Sequence, residues 1–194
     1  MINRENPNIT EYNPNADYSI NIPGLSNEVN QGLSNATRCV AEKGSAHQVE
    51  AMALVDLTTG SSVYDELGDF DSVGGDEFWE FVERYPNGRF AFVHSHMTDG
   101  FLSRDDMQTL STNAQIQVMI ATSNDGLKRI AYGDIKDYRL YDSIYTDDLE
   151  NLRSRIKRGI LEMADYRHEY QKLIVENAIR DFANLGFWEV DGRV

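Results

Sequence analysis

Cysteine occurs once, at Cys39, which excludes a disulfide within the chain and any thiolate cluster around a metal. Proline is nearly confined to the start: Pro7, Pro14 and Pro23 precede residue 24, and Pro86 alone follows. Bases are short as well, 18 against 32 acids, for a net charge of -14. A field of that sign repels phosphate backbones and anionic headgroups, so the sequence predicts neither a nucleic-acid nor a membrane partner. Apolar runs are brief, "IQVMIA" being typical, whereas a spanning helix needs ~20 such residues. The opening stretch "MINRENPNITEYNPNADYSINIPG" lacks the apolar centre of a secretory signal. Together these absences predict a soluble, cytoplasmic protein. Histidine is scarce too, four in 194 residues, yet two of them stand one residue apart.

What is present is enough for one domain with an appendage. Ten Tyr, eight Phe and two Trp, within a hydrophobic fraction of 41%, can fill a core. Residues 1–24 are rich in Asn and read as an extended or loosely tethered arm. Ser26 caps a helix whose Leu33, Ala36 and Val40 share a face and which stops near Gly44. "VEAMALVDLTTGSSVYDEL" reads as a hairpin turning at Thr-Thr-Gly-Ser. A helix over 76–84 turns Phe78, Phe81 and Val82 inward and ends before Pro86. "RFAFVHSH" is a strand, Ser103 opens a helix through Leu110, and 115–133 form a hairpin around Asn124-Asp125-Gly126. The order predicts an α/β fold for residues 25–140, helices flanking one mixed sheet. Residues 141–194 read as a helical extension. Leu149, Leu152, Ile156, Ile160, Met163, Tyr166 and Tyr170 recur every three or four positions, which predicts a long helix from Thr146 to about Ala183. Asp147 and Asp148 would sit in its first turn. Such a helix could pair with a second copy or a partner, its Arg153, Arg155, Lys157 and Arg158 forming a solvated face.

The chemistry concentrates in "FVHSHMTDGFLSRDDM". On a strand His94 and His96 share one face and stand roughly 6–7 Å apart, close enough for both imidazoles to reach one ion. Ser103 starts the following helix and puts Asp106 in its first turn. If the loop folds back, Asp106 adds a carboxylate oxygen, and two imidazoles with one carboxylate leave a fourth tetrahedral position for water. Ser103 and Asp106 also fit a capping box. That reading explains the serine and the acid but not the histidines, and both can hold together. An activated water needs a proton acceptor that is not itself a ligand. Glu50, at the head of an apolar strand, is the candidate, with Glu42 and Glu66 as rivals. Asp99 reads as a solvated turn residue, and His47 and His168 read as structural.

His-x-His, a short loop, Ser-x-x-Asp and a glutamate on an upstream strand resemble the JAMM, or JAB1/MPN, metalloprotease signature. The matching stretches are "HSH" at 94–96, "SRDD" at 103–106 and "EAMALVD" from Glu50. The resemblance covers roughly residues 25–135 and implies a curved sheet flanked by helices. It implies zinc held by His94, His96 and Asp106, with Glu50 as general acid/base and Ser103 as donor to the developing oxyanion. It also implies hydrolysis of a peptide or isopeptide bond in a protein or peptide substrate, ubiquitin-like modifiers among the candidates. The family's commonest form has proline after the second histidine and seven residues before the serine. This chain has Met97 and only six, Met97 to Leu102, as in bacterial and phage-like branches. A catalytically silent module of the same fold is the alternative, and metal content separates the two.

Overall fold

The computed structural model describes residues 10–97, 102–133, 138–162, 169 and 186–193. Period-two burial builds its centre. On strand β3 (Phe90–His96), Phe90, Phe92 and His94 face one way and Ala91, Val93 and Ser95 the other. Six of these seven residues are buried, as a strand covered on both faces requires. Strand β1 (Ala51–Asp56) pairs antiparallel with β3, Met52 opposite His94. Its other edge carries β2 (Ser62–Leu67), joined through the expected hairpin. Across β3, strand β4 (Ile116–Ser123) runs parallel, with His94 level with Ala121. It turns at Asn124-Asp125-Gly126 into antiparallel β5 (Leu127–Tyr132). Gly126 supplies the positive φ, 101°, that this turn requires.

A parallel pair needs a crossover, and here it is helix α3 (Arg104–Thr112). This helix and α2 (Asp76–Glu83) cover one face, where Met52, Leu54, Phe78, Phe90, Phe92, Met107 and Met119 form a core. Helix α1 (Asn27–His47) covers the other face, where Leu33, Val40, Ala53, Val93 and Ile120 meet. The molecule is thus a three-layer α/β arrangement around a six-stranded mixed sheet of order β2-β1-β3-β4-β5-β6, the last strand being Gly186–Asp191.

Several expectations need correction. Helix α1 does not stop at Gly44 but runs to His47, with Gln48 left-handed behind it. Gly44 is there for a close approach: a Cβ would lie 2.3 Å from the Ser95 hydroxyl on β3. The arm is not loosely tethered from residue 10 onward. Ala16, Tyr18, Ile20 and Ile22 are each at most 4% exposed, alternating with outward Asp17, Ser19 and Asn21. Buried Lys128 of β5 donates to the Asp17 and Ser19 carbonyls and holds the arm down. The terminal helix begins earlier than expected: α4 spans Tyr138–Lys157. Asp147 and Asp148 therefore lie mid-helix, not at a cap. Nor does α4 continue toward Ala183, since the chain turns after Lys157 through Gly159, φ 66°. Strand β6 (Gly186–Asp191), unforeseen by the sequence, pairs antiparallel with β5 as an edge of the sheet. Residues 1–9, Asp99, Gly100, Met163, Tyr166, His168, Tyr170 and Ala183 lie outside the described residues. No helix among those described is long and apolar enough to cross a membrane.

Candidate metal centre

Three elements converge at the C-terminal end of β3. His94 and His96 project from the face that carries α2 and α3, two residues apart as the pleat dictates. The register of β1 on β3 sets Met52 opposite His94; two residues back, Glu50 falls on the same face, level with His96. The third element is the start of α3. There Ser103 is the N-cap: its hydroxyl accepts the Asp106 N–H at 3.0 Å and donates to Asp106 Oδ2 at 2.8 Å. The Ser103 N–H donates to the same oxygen at 2.6 Å. The capping box expected from sequence is therefore complete, and it fixes the carboxylate with Oδ1 toward the histidines.

The donor atoms face one another. His94 Nε2 lies 2.8 Å from His96 Nε2 and 3.3 Å from Asp106 Oδ1. All three ligand atoms fall within 4.8 Å of one another, and Glu50 stands outside that set. Atoms held 2.0–2.1 Å from a tetrahedral ion are separated by roughly 3.3 Å, so the spacing suits a small divalent cation with little rearrangement. At 2.8 Å the two imidazole nitrogens are also within hydrogen-bond distance, the tautomer deciding which ring donates. The outer nitrogen of His94, Nδ1, is buried without a well-formed hydrogen bond, although the Ile120 carbonyl acts on the ring. That carbonyl is the kind of acceptor that sets a ligating histidine's tautomer.

The electrostatics follow from burial. Burial opposes charge on His94, but Asp106 and Glu50 outweigh it, and the imidazole titrates above its ordinary value. Burial would also raise Asp106; the His94 and His96 rings and the bonds from Ser103 hold its carboxyl well below the usual range instead. Glu50 behaves differently. It is 8% exposed, no hydrogen bond reaches its carboxylate from the described residues, and burial lifts it to about 7. His94 pulls that value down, while Asp106 and Asp71 add to the rise. A carboxyl poised near neutrality beside donors that could hold a cation can take and return a proton at ordinary pH.

Glu50, His94, His96, Ser103 and Asp106 all border one cavity of about 200 Å³, so the five residues singled out by sequence come together. The rivals of Glu50 do not reach it. Glu42 is exposed on α1, and Glu66 is engaged by Tyr64 and the Gly75 N–H above a separate hollow. Asp71, Trp79 and Asp105, none of them singled out from the sequence, complete the cavity wall. Phe92 backs the site, its ring edge-on to His94 at 5.3 Å. Met97, which follows His96, is anchored on both sides. Its side chain is 2% exposed, its carbonyl accepts the Thr10 N–H at 3.0 Å, and Asn124 Nδ2 bridges its sulfur and the Thr10 carbonyl. The arm thus secures the chain just beyond His96.

No protein-family model, curated protein or solved structure matches the chain. The reading of the centre rests on its own geometry.

Proposed function

We propose that the chain is a zinc-dependent hydrolase of the JAMM type that cleaves a peptide or isopeptide bond. The observation that carries the reading is the convergence of His94, His96 and Asp106, with their donor atoms within 4.8 Å of one another, beside a glutamate shifted to about 7. His94, His96 and Asp106 hold the ion. Bound there, zinc supplies Lewis acidity toward a water and toward the scissile carbonyl.

The protein's own groups do the rest. Glu50 takes the proton of the attacking water as the carbon–oxygen bond forms. It then delivers that proton to the amine as the carbon–nitrogen bond breaks, so the carboxyl ends as it began. Ser103 aligns Asp106 in the resting site. When its hydroxyl turns to the developing oxyanion, the Ser103 N–H still anchors Asp106 Oδ2, so the ligand keeps its place. Buried His94 and the aromatic wall of Phe92 and Trp79 limit water around these charges, which strengthens each interaction.

The test is metal content followed by turnover. Protein stripped with chelator and dialysed against zinc should hold one ion per chain. Glu50→Gln should keep the ion and lose hydrolysis of a peptide and isopeptide library by roughly 10²–10⁴-fold. A wild-type protein that retains no zinc overturns the reading.

A further inference from the structure

The cavity wall carries more negative charge than the proposed chemistry uses. Asp106 serves the ion and Glu50 serves the proton, but Asp71 and Asp105 front the same space with no assigned task. Both are exposed at its mouth, and neither carboxylate has a hydrogen bond or ion pair among the described residues. Each is held in position by its backbone. Asp105 is the second residue of α3, behind the Ser103 cap. Asp71 rides a loop docked on the head of β1, where the Glu50 N–H donates to the Asp69 carbonyl at 2.7 Å and the Gly68 N–H to the Glu50 carbonyl at 2.8 Å. A second observation points into the same space: Glu50, 8% exposed, turns an unpartnered carboxylate toward it. A bound divalent ion offsets Asp106 and Glu50 and leaves Asp71 and Asp105 uncompensated. Trp79, in the same wall, adds an aromatic surface of the kind that favours a cation.

Resting on the hydrolase reading above, we propose that the site selects a substrate with a basic side chain, lysine or arginine, next to the scissile bond, recognised by Asp71 and Asp105. The cation occupies the mouth while the scissile carbonyl lies deeper, toward His94 and His96. A neutral side chain leaves the two carboxylates uncompensated, and an acidic one is repelled by them.

Binding tests this without requiring turnover. The zinc-loaded full chain is titrated calorimetrically with three N-acetyl amino-acid hydroxamates that share a zinc-binding group: arginine, norleucine and glutamate. Expected is arginine over norleucine by roughly three- to tenfold at low ionic strength, the scale of two exposed charge contacts, with glutamate weakest and the differences shrinking as salt rises. Asp71→Asn with Asp105→Asn should remove the arginine advantage over norleucine and retain zinc. Equal binding of arginine and norleucine to the wild type, or an arginine preference that survives the double substitution, overturns the selectivity while the metal reading stands. If no hydroxamate binds zinc-loaded protein, the hydrolase reading fails and the selectivity falls with it.

Discussion

Replacing Glu50 by glutamine should make the metal-free protein more stable above about pH 4.5 and leave its stability unchanged below. Folding moves this carboxyl from its ordinary 4.5 to about 7, so the folded chain holds the proton more tightly than the unfolded one. The contribution is therefore harmless below pH 4.5, grows unfavourable between 4.5 and 7, and stays so above. At 1.36 kcal/mol per pH unit it reaches about 3 kcal/mol by pH 8. Glutamine fills nearly the same volume without a charge to bury. Glu50→Gln should gain up to about 3 kcal/mol over wild type at pH 8, roughly 6–12 °C in Tm for a chain of this size. The gain should fade toward zero by pH 4.5. Chelator-treated proteins, melted or titrated with urea across that range, provide the measurement. A gain that does not vary with pH, or no gain at pH 8, would refute the argument that desolvation raises the carboxyl.

Zinc at about a thousand times its Kd should stabilise the wild type by ~4 kcal/mol, or roughly 8–16 °C in a thermal melt. His94→Ala and Asp106→Ala should show no such shift, and a full shift in either would remove that residue from the ligand set. In zinc-loaded enzyme the added positive charge pulls Glu50 below its metal-free value of about 7. The acid limb of kcat/KM should therefore lie below pH 7 and vanish in Glu50→Gln; a limb above pH 7 contradicts it. Gly44→Ala gains about 1 kcal/mol of helix propensity but puts a Cβ 2.3 Å from Ser95 Oγ. It also disturbs the bond that this hydroxyl accepts from the Ala51 N–H. Overpacking and the lost bond should leave a net loss of about 2 kcal/mol; adding Ser95→Ala should relieve the overpacking share, while the Ala51 N–H stays without its acceptor. A stabilised single variant would show that α1 can shift.

Where local pattern and tertiary structure agreed, the sequence was legible. The two hairpins, the β3 run into His94 and His96 and the cap at Ser103 each carry a short-range signal, and these elements place the site. Glu50 could be chosen because an acid at the head of an apolar strand needs a polar destination. What escaped depended on contacts distant in the chain. Ala16, Tyr18, Ile20 and Ile22 alternate as a half-buried strand does, but the surrounding Asn and Pro suggested a free arm. Gly44 reads as a helix stop unless Ser95 is known to press against it. "GFWEVD" is too short to stand out from its surroundings, and only β5 makes it a strand. Asp71 carries no sequence signal, since its loop reaches the cavity by pairing with the Glu50 backbone.

Ser95 stands between the two histidines but faces the opposite layer. It is 0% exposed and wedged between Gly44 and the Ala51 amide. Helix α1 therefore acts as an anvil behind the strand that carries both histidines: a groove cut or filled on that reverse side should tilt both imidazoles together. The proposed hold on zinc should then be tunable by substitutions that never touch the cavity, and libraries aimed at metal preference should begin from the back of the sheet.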